Sequence, residues 1–207
     1  MIAIIDYGVG NLFSLSSSLG EIGEEAIITS DPEVIRAAER IILPGVGAFG
    51  DAAEKLFSRG LGELVIDEAK RGKPILGICL GMQLLFDKSF EYGEHRGLGL
   101  IKGEIRYIGE CIPGGLKIPH IGWNALRLEE PKAEIFKYIN EGDCVYFVHS
   151  YYGADCEDSI IARAEYGAPI TAAVASGNVY GCQFHPEKSG KVGLSILKAF
   201  AEIEVAV

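Results

Sequence analysis

Cys79 sits in the stretch Pro74-Ile75-Leu76-Gly77-Ile78-Cys79-Leu80-Gly81-Met82-Gln83, with glycines two residues before and two residues after it. The apolar run predicts a short buried strand that turns sharply into a helix. Small-x-nucleophile-x-small is the spacing of a nucleophile elbow, here with Cys in the place of Ser. A side chain on so tight a turn stands proud of the sheet, and its neighbours must be small for the backbone to pass. The turn also brings the sulfur to a helix N-terminus, where the positive end of the peptide dipoles favours thiolate, the nucleophilic form. Taken alone, the stretch also fits a structural cysteine buried between two loop glycines.

His185 and Glu187 supply a second candidate pair, in Gly181-Cys182-Gln183-Phe184-His185-Pro186-Glu187. A strand expected over 179–184 delivers His185 to its C-terminal end. Residues two apart in extended chain point the same way, so Glu187 can reach back to the imidazole. A carboxylate on one ring nitrogen fixes the tautomer and stabilises imidazolium, and the other nitrogen can then take a proton from a thiol. His185 alone could be an ordinary histidine before a turn; with the elbow, a Cys79-His185-Glu187 triad is the stronger reading. Leu43-Pro44-Gly45-Val46-Gly47 follows another expected strand. Such a turn can aim backbone N–H groups of Gly45 and Val46 at developing negative charge, together with the N–H of Leu80. A plain strand–helix turn has the same spacing.

Other chemistries fit less well. Gly8-Val9-Gly10 begins a dinucleotide fingerprint that Phe13 breaks, and no phosphate loop of the G-x-x-x-x-G-K-[ST] kind occurs. A serine-type hydrolase would place its acid before its histidine, the reverse of His185 and Glu187. Zinc held by Cys79, His185 and Glu187 has no supporting HExxH or CxxC spacing. His95 lies in a polar, Gly-rich loop and is expected to be solvated. Trp123 would by default be core, but Gly122 and Asn124 beside it hint at an exposed loop and a partner surface.

These residues need a scaffold, and 207 residues with 48% hydrophobic content suffice for one α/β domain with a full core. The mean hydropathy is slightly positive, which argues for a buried sheet. No apolar run approaches the ~20 residues of a membrane span. Met1-Ile2-Ala3-Ile4-Ile5-Asp6 has no basic region and meets an acid too early for a signal peptide. Five cysteines at irregular spacing form no disulfide framework and suit a reducing cytoplasm. Of these, Cys182 is expected to pack silently on a buried strand, and Cys111, Cys144 and Cys156 to be ordinary thiols. A net charge of −10 without a basic cluster argues against nucleic acid as a partner.

Along the first half, strands at 2–5, 26–29, 40–43 and 75–78 alternate with helices at 11–22, from Pro32, at 47–58 and at 61–71. Asp31 can cap the Pro32 helix. Repeated βα units with short apolar strands predict a parallel sheet covered on both faces. The second half reads as strands at 99–105, 124–128, 144–149, 160–164, 170–175 and 179–184, expected as antiparallel additions, before an amphipathic helix at 192–203. No linker or repeat divides the chain, so residues 1–207 are expected to form a single domain.

The elbow with Met82 and Gln83, His185-Pro186-Glu187 and Pro44-Gly45-Val46-Gly47 together resemble the class I (triad) glutamine amidotransferases, over almost the whole chain. The resemblance implies a flavodoxin-like α/β fold with a central, mostly parallel sheet and no cofactor. Within that class, the segments 6–12, 44–49, Pro119-His120-Ile121-Gly122-Trp123-Asn124, 146–151 and 185–189 look like those of the glutaminase subunits of imidazole glycerol phosphate synthases, in histidine biosynthesis. Met82 fits, because anthranilate synthase glutaminases usually carry His there. By this resemblance Cys79, His185 and Glu187 form the catalytic triad that hydrolyses glutamine through a thioester, and Leu80, Gly45 and Val46 provide the oxyanion hole. Gly47, Gln83, Ser150 and Tyr151 hold the amino-acid end of glutamine. Asn11, Ser14, Trp123, Tyr146 and Lys188 face a (β/α)8-barrel cyclase subunit of the HisF type, which takes up the ammonia in a heterodimer. The family's glutaminase is nearly silent until the cyclase binds its ligand, for which a misaligned oxyanion loop made flexible by Gly45 and Gly47 offers a reason. Glutaminase subunits of the aminodeoxychorismate, anthranilate or pyridoxal phosphate type, or an inactive regulatory homologue, are the alternatives.

Overall fold

Ile2–Ile5 is apolar at every position, so a strand formed there needs cover on both faces. Ile2 and Ile4 pack into one core cluster and Ala3 and Ile5 into another, the two clusters lying on opposite faces of a central sheet. The computed structural model describes residues 1–204. Its elements begin with β1 (Ile2–Ile5), α1 (Leu12–Glu21), β2 (Ala26–Thr29), α2 (Pro32–Ala37), β3 (Arg40–Gly45), α3 (Phe49–Ser58), α4 (Leu61–Lys70), β4 (Ile75–Cys79) and α5 (Leu80–Leu84). There follow β5 (Phe86–Ser89), β6 (His95–Arg96), β7 (Ile101–Tyr107), β8 (His120–Ala125), β9 (Arg127–Leu128), β10 (Cys144–His149) and β11 (Tyr151–Ala154). The last are β12 (Ile160–Glu165), β13 (Pro169–Ser176), β14 (Val179–Cys182) and α6 (Gly190–Ala201).

The central sheet runs β2-β1-β3-β4-β14-β13-β12-β9. Its first five strands are parallel, and beyond β14 the last three each pair antiparallel with the strand before. Helices α2, α3 and α4 pack on one face, α1 and α6 on the other. Asp31 caps α2 by accepting from the Glu33 N–H at 2.9 Å, with Pro32 at the first helical position.

The second half departs from expectation in three ways. β14 is not an antiparallel addition; it pairs parallel with β4, Gly181 opposite Gly77 and Cys182 opposite Ile78. That pairing sets the two chemistry-bearing strand ends side by side. The strand expected at 124–128 divides at Leu126, which turns into the core, so that β8 forms a two-stranded ribbon with β10 while β9 joins the central sheet. β5, β6, β7 and β11 make a separate four-stranded sheet. β5, β6 and β11 carry no alternation in sequence strong enough to announce them.

At the elbow, β4 leads into a helix of five residues. The glycines are explained by contact. A Cβ on Gly81 would run into the Leu43 carbonyl oxygen, and one on Gly77 would stand 2.6 Å from the Gly81 carbonyl oxygen. Because the atoms met are rigid backbone, Gly81→Ala is expected to cost about 3 kcal/mol or more of unfolding free energy, measured by denaturant titration.

Candidate active site

Cys79 takes φ 55° and ψ −111° at the junction of β4 and α5, a conformation that L-residues seldom adopt. Strain of this kind persists only where the surroundings overdetermine it, and here β3 and β14 flank β4 while Gly81 packs against Leu43. The sulfur lies at the wall of a cleft of about 610 Å³ lined by Val46, Gly47, Leu80, Gln83, Ser150, Tyr151 and His185. A helix of five residues contributes little dipole, so the sulfur's electrostatics come mainly from neighbouring side chains.

His185 is nearly fully buried and follows the end of β14. Its Nδ1 lies 2.8 Å from Glu187 Oε1, leaving Nε2 for the sulfur. Burial pulls this imidazole down, but hydrogen bonding to Cys79 and to Glu187 more than compensates and raises it to about 9. Ser189 fixes the backbone here: its hydroxyl donates to the His185 carbonyl at 2.6 Å and accepts from the Tyr146 N–H at 3.0 Å.

A family model for "Glutamine amidotransferase class-I" matches residues 3–203. The chain belongs to the class-I glutamine amidotransferases. It is 51% identical over 204 residues to "Imidazole glycerol phosphate synthase subunit HisH" of Caldanaerobacter subterraneus subsp. tengcongensis, covering 98% of both chains. It is 47% identical over 203 residues to the protein of the same name from Methanothermobacter thermautotrophicus, covering 98% of each. Among solved structures, "Crystal structure of glutamine amidotransferase" superposes with TM-score 0.74 at 17% identity, covering 97% of this chain and all of that one. "Structure of PurLQS from Thermotoga maritima" gives TM-score 0.70 at 21% identity, over 97% and 96%. At these identities the structures speak for the fold.

In this amidotransferase, Gly45 and Gly47 differ in freedom. Gly45 is the last residue of β3, opposite Cys79, and a Cβ there would lie 2.8 Å from both the Gly81 nitrogen and the Tyr7 hydroxyl. Tyr7 donates to the Pro44 carbonyl at 2.7 Å, which ties the strand end down. Gly45 has no room for a Cβ, whereas Gly47, at φ +97°, has open space at its Cβ position but a backbone conformation that favours glycine.

The partner-facing candidates gather beside the triad. Asn11 stands at the N-cap position of α1 without a side-chain capping bond and lines a small pocket with His185 and Glu187, and Ser14 is half-buried one turn on. Trp123 pairs across the β8–β10 ribbon with Tyr146, their ring centres 6.2 Å apart, and Lys188 Nζ stands 6.0 Å from the Tyr146 ring. Trp123 is on a strand, not in a loop, and 58% exposed. Phe13, the residue that breaks the dinucleotide fingerprint, is the most exposed aromatic of this face at 81%.

Several residues of the site went unassigned from sequence. Glu91 lines the cleft and accepts from the Phe49 N–H at 2.6 Å, anchoring α3 just after the glycine turn. A neighbouring cavity of about 510 Å³ shares Glu91 but holds no nucleophile. His95 lies on β6 rather than in a loop and is half-buried, lining that cavity with its ring over Gly50 and beside Phe49. Cys182 is fully buried, and desolvation pushes its thiol well up. Burial likewise pushes Cys156 up to about 11. His149 and His120 are the largest omission. His149 Nδ1 lies 2.8 Å from the Tyr151 carbonyl, His120 Nδ1 lies 3.1 Å from His149 Nε2, and Asn124 Nδ2 lies 3.4 Å from His120 Nε2. A carbonyl only accepts, so His149 carries its proton on Nδ1 and His120 does the same; both rings are neutral.

The two buried histidines that flank the cleft respond oppositely to pH. Desolvation lowers His149 to about 3, against about 6.5 in an unfolded chain. Its stabilising contribution is therefore full above pH 6.5 and lost as pH falls toward 3, because the unfolded chain takes the proton first. His185 is raised, so its contribution is full below pH 6.5 and lost as pH rises through about 9. Thermal melts across pH are expected to show His149→Gln flattening the acid limb and leaving the alkaline limb unchanged.

Proposed function

We propose that this chain is the glutaminase subunit of an imidazole glycerol phosphate synthase, with residues 1–207 as one amidotransferase domain, of which 205–207 lie outside the described residues. The observation that carries the chemistry is an elbow sulfur facing a glutamate-braced imidazole in a cleft of about 610 Å³, ample for glutamine. Full-length identity of about one half to proteins named as HisH subunits supports the synthase.

Cys79 thiolate attacks the side-chain amide carbon of glutamine. The carbonyl oxygen becomes an oxyanion, held by the backbone N–H groups of Leu80 and of Gly45–Val46. As the C–N bond breaks, His185 gives its proton to the departing nitrogen, and ammonia leaves behind a glutamyl thioester. Water then adds, its proton passing to His185, and the C–S bond breaks to release glutamate and thiolate. Glu187 orients His185 and stabilises the imidazolium throughout. Gly47, Gln83 and the Ser150–Tyr151 backbone hold the amino-acid end of the substrate.

Phe13, Ile121 and Trp123 are large, apolar and more than half exposed. With Asn11, Ser14, Tyr146 and Lys188 they make a surface beside the triad suited to a HisF-type (β/α)8-barrel cyclase, which receives the ammonia. Among the described residues no helix is long and apolar enough to cross a membrane. The cytoplasm is the compartment that suits the five free thiols.

Glutamate release is to be measured for the chain alone, with a cognate cyclase, and with that cyclase carrying its nucleotide ligand. The expected result is a large rise only in the third state; a high rate of the chain alone, indifferent to the cyclase, points to another triad glutaminase. In the stimulated complex, Glu187→Gln is expected to lower kcat by about 100-fold or more and to move the alkaline limb below the wild-type limb, which lies near pH 9.

A further inference from the structure

Gln183 is completely buried two residues before His185, and its Nε2 lies 3.8 Å from Cys79 Sγ. We propose that Gln183 is a fourth catalytic group, donating a carboxamide N–H to the Cys79 sulfur and so holding the thiolate alongside His185. This rests on the glutaminase reading only in taking Cys79 as the nucleophile.

The amide orientation follows from an acceptor that cannot be reversed. The Tyr151 carbonyl lies 3.2 Å from the Gln83 amide and can only accept, so Gln83 presents Nε2 there. The same Nε2 faces Gln183 at 3.0 Å, which makes the facing Gln183 atom the oxygen. The other end of the Gln183 carboxamide is therefore the NH2 group, and it faces the sulfur. The main chain is fixed as well, with the Gln183 N–H donating to the Ala172 carbonyl at 2.9 Å. A buried carboxamide satisfied in one orientation has no low-energy alternative. Its value to the reaction grows with charge: an N–H to a thiolate is a charge-assisted bond, while an N–H to a neutral thiol or thioester sulfur is weak. Gln183 thus favours the attacking thiolate before glutamine is cleaved and the leaving thiolate when the thioester is hydrolysed. No proton is transferred to or from it.

The remaining ionisable groups around the sulfur are few. His185 with Glu187 behind it stands on one side, and Tyr7 is committed to the Pro44 carbonyl. His149, Lys188 and Glu91 line the cleft. None of them changes in a Gln183 variant.

The test is alkylation of Cys79 by iodoacetamide in the full chain without glutamine, followed by peptide mass spectrometry to separate Cys79 from Cys111 and Cys144. Rates are taken from pH 5 to 10, with thermal midpoints measured in parallel. Gln183→Met is expected to slow Cys79 alkylation at pH 7 by about 10-fold and to shift the pH midpoint up by about one unit. Gln183→Glu, which puts a carboxylate beside the sulfur, is expected to do more in the same direction. A wild-type alkylation profile in a folded Gln183→Met protein would overturn the proposal, whatever happens to its melting temperature or to Gln183→Glu. A Cys79 that stays inert in the wild-type chain both alone and in the complex with the ligand-loaded cyclase would overturn the glutaminase reading, and this proposal with it.

Discussion

The site depends on one close approach: the end of β3 lies so near the elbow that only glycine fits at Gly81, against the Leu43 carbonyl oxygen. Gly45 is caught in the same contact from the other strand, opposite Cys79 in register. Three consecutive features follow from it. Cys79 is held at positive φ, its side chain stands in the wall of the cleft, and Gly45, the last residue before the Val46–Gly47 turn, is paired opposite it. Backbone packing against backbone is stiff, because neither side has a rotamer to change.

A second layer of order comes from parallel pairing of β14 with β4. It places the residues after β14 next to the elbow, where a bend at 183–184 and the 3-10 turn Pro186–Lys188 set Gln183 beside the sulfur and Glu187 back against His185. From there a run of hydrogen bonds leads outward through Gln83, the Tyr151 carbonyl, His149, His120 and Asn124. It ends on β8, the strand that carries Trp123. Every donor and acceptor in that run has one assignment, since it is anchored on carbonyl oxygens at Tyr151 and at Glu165. Ser189 makes a parallel connection between Tyr146 and His185.

Two histidines close to the same cleft are driven apart by their surroundings. His149 is buried with a neutral imidazole for a partner and no carboxylate, so desolvation rules. His185 is buried against the Cys79 sulfur and the Glu187 carboxylate, which outweigh desolvation. Environment, not residue type, assigns one ring to structure and the other to proton transfer.

Much of this was legible in the chain itself. Gly77, Cys79 and Gly81 announced the elbow because local sterics leave few residues able to make that turn, and His185-Pro186-Glu187 announced a braced imidazole because the pair is close in sequence, although a 3-10 turn at Pro186–Lys188, not the expected extended chain, brings the carboxylate back to the ring. The βα order of the first half followed from apolar runs and caps such as Asp31-Pro32. Closeness in sequence to His185 is the signal that could have found Gln183. What tertiary structure alone decided was pairing between distant segments: β14 parallel to β4, the ribbon that sets His149 beside His120, and the contact that leaves no room for a side chain at Gly45. Those outcomes rest on which strands become neighbours and how closely their backbones approach, and neither periodicity nor composition encodes such distances.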